Sequence, residues 1–93
     1  MEPRAATGDD EVLATLRRVV TDVLGRPQAE APRRDLTLAE VGLDSLSQLE
    51  VLNRLEDEFG VMVPYEVADQ VRTVGDVVDV LRDLAGGRAP AAS

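Results

Sequence analysis

The apolar residues fall into four stretches with helical spacing, and the gaps between them carry residues that start and stop helices. Val12, Leu13, Leu16, Val19, Val20, Val23 and Leu24 recur at three- and four-residue intervals, giving the stripe of an amphipathic helix. Asp9-Asp10-Glu11 open that helix where its macrodipole favours negative charge, and Gly25 followed by Pro27 closes it. Arg17 and Arg18 fall on the opposite side. A second helix is expected over 45–59, with Gly60 at its end. At about 100° per residue, Val51, Leu52, Leu55 and Phe59 share one side and face the core. Leu46 and Leu49 do not join them. They fall among Glu50, Asn53, Glu56 and Asp57 on the outer side, a pattern that suggests a small docking surface beside the helix start.

Tyr65 to Val71 carries Val67, Ala68 and Val71, enough for a short helix of about two turns. Thr73 then caps a last helix with Asp76 in its first turn, an apolar face of Val74, Val77, Val78, Leu81 and Leu84, and Gly86-Gly87 at its end. The many valines suit strands by propensity, but three-four spacing and caps favour helix, since packing outweighs propensity at buried positions. Residues 26–43 form a long connection. Its second half offers Leu36, Leu38, Val41 and Leu43 as anchors, and Thr37-Leu38-Ala39-Glu40 has the spacing of a capping box for a short turn. The expected fold is all-α: a small four-helix bundle, three longer helices and one short third helix, with a long loop between the first two. Residues 1–8 are expected to form a flexible leader, 9–85 the domain, and 86–93 a flexible tail.

Composition narrows the function. Ninety-three residues make one small domain, and the net charge of −8 argues against a nucleic-acid binder. Such a charge steers basic or positively rimmed proteins instead. The chain has no cysteine and no histidine, which removes thiolate chemistry, the commonest general base and the commonest metal ligand. No apolar stretch is long enough to span a membrane and nothing resembles a signal peptide, so the expected location is cytoplasmic. An initiating Met1 and short tails suggest a free-standing protein, and a monomer is expected. All ten basic residues are arginine, which looks like a GC-rich coding bias.

Chemistry concentrates at Gly42-Leu43-Asp44-Ser45-Leu46. Ser45 could simply cap the helix, because Ser45-Leu46-Ser47-Gln48 matches the S-x-x-Q capping box, and Asp44 could equally be the N-cap. With no histidine in the chain, Ser45 is unsuited to be the nucleophile of a triad. It is better suited to modification by another enzyme. A phosphodiester on its oxygen would sit at a helix N-terminus, where free N–H groups and the dipole stabilise an anion.

From residue 36 to residue 84 the sequence resembles the acyl carrier protein family. The resemblance rests on Glu40-Val41-Gly42-Leu43-Asp44-Ser45-Leu46, on the acidic helix ending Glu56-Asp57-Glu58-Phe59-Gly60, on Val63-Pro64-Tyr65-Glu66-Val67-Ala68, and on Thr73-Val74-Gly75-Asp76-Val77. It implies a carrier that is not itself an enzyme. Ser45 would bear a covalent 4′-phosphopantetheine arm, attached by a separate phosphopantetheinyl transferase that uses coenzyme A and Mg²⁺. The arm's thiol would hold acyl intermediates as thioesters, and Asp44 would help position the transferase and its metal. The second helix would be the recognition helix, so Leu46, Leu49, Glu50, Asn53, Glu56 and Asp57 would meet ketosynthase, acyltransferase and tailoring partners. The helical-wheel reading reaches the same face independently.

Leu43 before Asp44 looks like polyketide or fatty-acid carriers, whereas peptidyl carriers more often have a second glycine there. The link from Val63 to Ala68 and Arg72-Thr73 are similar to discrete carriers of bacterial aromatic polyketide systems. The expectation is therefore a carrier for polyketide biosynthesis. A peptidyl or aminoacyl carrier of a nonribosomal pathway is the first alternative. A cofactor-free acidic helical adaptor, in which Ser45 only caps, is the second.

Overall fold

The computed structural model describes residues 8–27 and 32–87. Five helices follow in order: α1 (Asp9–Leu24), α2 (Leu38–Val41), α3 (Ser45–Phe59), α4 (Tyr65–Ala68) and α5 (Val74–Ala85). Three are long, as the spacing predicts, and no strand occurs among the described residues. The fifth helix is the single turn α2, formed by the capping box expected inside the long loop. Thr37 Oγ1 accepts from the Glu40 N–H at 3.0 Å, and Glu40 Oε1 accepts from the Thr37 N–H at 2.8 Å. α4 is shorter than expected. It spans one turn and gives way to further turns at residues 69–70, because Asp69 and Gln70 are exposed and only Val67 of its own residues is buried.

The apolar stripes meet as their periodicity requires. α1 packs against both α3 and α5. Val12, Leu16, Val19 and Val20 of α1 close on Val51 and Leu55 of α3 and on Val74, Val77, Val78 and Leu81 of α5. Leu36, Val41 and Phe59 are each partly buried against this cluster, while Leu38 and Leu43 are fully within it. The second half of the loop is thus part of the core. No polar residue is buried as a whole among the described residues, and the buried carboxylate oxygen Asp9 Oδ1 is met by Arg82 Nη1 at 2.9 Å.

Two capped helix starts are stitched to each other, a feature the sequence did not reveal. Thr37 and Thr73 form an isolated antiparallel bridge. Leu38 N–H donates to the Arg72 carbonyl at 3.0 Å, and Val74 N–H donates to the Leu36 carbonyl at 2.9 Å. Thr73 also completes its own capping box with Asp76. The two boxes therefore fix the loop against the start of α5, and with it the approach to α3.

The expected leader and tail fall outside the described residues, apart from Gly8, the N-cap of α1, and Gly86 and Gly87, which follow α5. Residues 28–31 of the Pro-rich first half of the loop also lie outside them.

Candidate functional site

The start of α3 is set by what precedes it. Gly42 ends α2 at φ 114°, a conformation open to glycine and closed to most other residues. Its N–H reaches back to the Ala39 carbonyl at 3.0 Å, and the next N–H, of Leu43, reaches the Leu38 carbonyl at 3.1 Å. This turn drops Leu43 into the core, where it is 2% exposed. Gln48 then donates from Nε2 to the Leu43 carbonyl at 3.1 Å.

Asp44 is the N-cap. Its backbone is extended and its Oδ1 accepts from the Ser47 N–H at 2.8 Å, while its carbonyl takes the first helical bond from Gln48 N–H at 2.8 Å. Of the two capping arrangements open from sequence, this is the one adopted. Ser45 and Gln48 do not form the reciprocal box, because Gln48 points back to Leu43. The Ser47 N–H, followed by the Ser47 hydroxyl, holds the Asp44 carboxyl below the usual carboxylate range. An anion therefore stands beside Ser45 at neutral pH. Ser45 occupies the first helical position, is exposed, and is released from capping by its neighbour.

The outer face of α3 matches the helical wheel. Leu46 is 75% exposed and Leu49 54%, while Val51, Leu52 and Leu55 are buried. Glu50, Asn53 and Asp57 are exposed. Glu50 accepts from Arg54 Nη2 at 3.3 Å, and Arg54 also lies 3.9 Å from Asp22. Glu56 differs from the other acidic residues of this face. It is half-buried, and its Oε2 accepts from the Val63 N–H at 2.6 Å, tying α3 to the link before α4.

Glu58 turns to α1, where Arg18 donates to both carboxylate oxygens at 2.7 and 3.3 Å. That guanidinium holds the Glu58 carboxyl below its ordinary value. Met62 and Tyr65 are each 81% exposed, and the sequence reading gave neither a role. The only signal was their absence from the apolar faces of the neighbouring helices.

These residues fit a covalently attached phosphoester arm. Ser45 is exposed at the positive end of a 15-residue helix, and the cap of that helix is made by Asp44 rather than by the Ser45 hydroxyl. Among the described residues no group of His, Cys, Asp or Glu is arranged to hold a metal ion. No helix there is long and apolar enough to cross a membrane.

The family model described as "Phosphopantetheine attachment site" matches residues 14–81. The meromycolate extension acyl carrier protein of Mycolicibacterium aurum is 33% identical over 79 residues, covering 85% of this chain and 81% of that protein. An acyl carrier protein from Thermotoga maritima superposes with a TM-score of 0.78, covering 85% of this chain and 92% of that one. At 20% identity this likeness speaks to fold alone. A 3,5-dioxohexyl acyl carrier protein, a triketide mimic from the actinorhodin polyketide synthase of Streptomyces coelicolor, is 27% identical. It has a TM-score of 0.70 and covers 94% of this chain and 100% of that one. With most of its length matched by the family and its bundle shared with these carriers, the chain belongs to the phosphopantetheine-attachment family and is an acyl carrier protein, a substrate-bearing partner of enzymes rather than an enzyme.

Proposed function

We propose that Ser45 is the residue that bears the 4′-phosphopantetheine arm, and that the chain carries growing intermediates in polyketide assembly. One observation carries the first part. An exposed serine stands at the first position of α3 while Asp44 does the capping, so Ser45 can be modified without loss of helix structure. The bound arm supplies the thiol that a chain without cysteine lacks, and an acyl group rides on it as a thioester. Asp44, held anionic by Ser47, is placed to help position the transferase and its metal. Leu46 and Leu49 offer the apolar centre of the partner surface. Glu50, Asn53 and Asp57 rim it, and Glu56 contributes less because the Val63 N–H already occupies one of its oxygens.

The polyketide assignment is supported by Leu43 before Asp44, by the link from Val63 to Ala68, and by the likeness to the actinorhodin carrier. The partners in this reading are a phosphopantetheinyl transferase, a ketosynthase, an acyltransferase and tailoring enzymes. The relative named as a meromycolate extension acyl carrier protein favours a second reading, a carrier for meromycolate extension. Offering the malonyl-loaded protein to a polyketide ketosynthase and to a long-chain fatty-acyl condensing enzyme separates the two. Faster extension by the polyketide enzyme is the expected outcome. Extension by the long-chain enzyme alone overturns the polyketide reading.

A further inference from the structure

α1 and α3 run antiparallel, as their ion pairs record: Arg18 meets Glu58, and four residues later Asp22 meets Arg54. Continuing that register brings Leu24, the last residue of α1, level with position 52, toward the start of α3. Arg26 stands at that end. Its guanidinium rests against Gly42, where a Cβ would meet Arg26 Nη2 at 3.5 Å and Leu24 Cδ1 at 3.6 Å. Glycine at this position thus opens the surface on which the side chain lies, three residues before Ser45.

Among the described residues no carboxylate lies within ion-pair distance of Arg26. The two acidic groups flanking Gly42 are engaged by backbone donors: Glu40 by the Thr37 N–H and Asp44 by the Ser47 N–H. Among the described residues, an exposed guanidinium without a carboxylate partner therefore sits against Gly42, three residues before the serine that would receive a phosphodiester.

We infer that Arg26 pairs with the phosphodiester of the arm, a charge-assisted contact that biases the root of the arm toward the end of α1. This rests on the reading of Ser45 as the attachment residue. The oxygens of the diester are the acceptors and the Arg26 N–H groups the donors. The contact is exposed, so it weakens with salt. Arginine suits it better than lysine, because the planar fork matches a phosphate geometrically.

The test compares apo and holo forms of the full chain, with intact mass first establishing that the arm is present. The Arg26 Nε–H signal in NMR moves on conversion to the holo form, and the movement shrinks as salt is raised. In holo Arg26→Gln the phosphorus resonance of the arm loses its salt dependence and relaxes as a more mobile group. Arg26→Lys restores part of the salt dependence. Identical phosphorus shift and relaxation in the wild type and Arg26→Gln would overturn the inference. An Arg26 signal that responds to Asp44→Asn in the apo form but not to the arm would also overturn it. A failure of Ser45 to load contradicts the attachment reading itself, whereas full loading with an unchanged phosphorus signal contradicts only the role of Arg26.

Discussion

Asp44 and Ser45 divide between them two roles that either side chain could hold at a helix start. The aspartate accepts the Ser47 N–H and so satisfies one of the unpaired donors of the first turn. The serine stays exposed, and its oxygen is left for chemistry. Leucines on the same helix divide in the same way. Leu55 is fully buried and Leu46 is 75% exposed, although both are leucines on one helix. Leu55→Ala is therefore expected to cost about 2–5 kcal/mol in a denaturant melt. Leu46→Ala should leave stability within about 0.5 kcal/mol yet slow modification by the transferase. A Leu46→Ala protein that melts early and loads normally would assign that leucine to the core instead.

Among the elements, the pair of capped starts is what holds the loop. The Thr37 box of α2 and the Thr73 box of α5 are joined through Leu38 N–H to Arg72 and Val74 N–H to Leu36. Removing either cap, by Thr37→Ala or Thr73→Ala, should cost about 1 kcal/mol. The double variant should depart from additivity by about 0.5 kcal/mol or more, because the two caps share one ladder; strict additivity would show that they act separately.

Asp76 adds a pH signature. The Arg72 N–H, with those of Thr73 and the Arg34 charge, holds its carboxyl below the ordinary 3.8. A depressed folded value means that its stabilisation is fully present above about pH 4 and is lost as pH falls through that lower value. Asp76→Asn should thus be less stable at neutral pH and show a shallower acid limb when ellipticity is followed from pH 5 downward.

The Thr37 box was legible as T-x-x-E, Thr73 as a cap with Asp76 in the first turn, and the three long helices as periodic stripes; the return bond from the Thr73 N–H to Asp76 was not read. The bridge between the boxes was not legible, since it joins residues 36 apart through backbone atoms that carry no side-chain signature. The length of α4 was overread for a related reason. Val71 belongs to the core but reaches it from the turn after the helix. Sequence left the S-x-x-Q box at Ser45 and the Asp44 cap both open; the second is adopted, and Gln48 turns instead to the Leu43 carbonyl.

For the molecule as a whole, the net charge of −8 and the outward carboxylates of α3 make association with basic partners an electrostatic encounter. Individual exposed pairs are weak, so the effect belongs to rates more than to affinity. Glu50→Arg and Asp57→Arg should each slow loading by the transferase severalfold at low salt, and the difference should shrink at about 1 M salt, where screening acts within roughly 3 Å. Unchanged rates at low salt for both would move the partner surface elsewhere.

The central claim is that Ser45 is a tether rather than a cap, and intact-mass measurement tests it most directly. The protein is incubated with coenzyme A, Mg²⁺ and a promiscuous phosphopantetheinyl transferase, and the mass of the product is read. A gain of one phosphopantetheine, located on the peptide containing Ser45 and abolished in a well-folded Ser45→Ala variant, is the predicted result. No gain in folded wild-type protein, or an equal gain in Ser45→Ala, would contradict it.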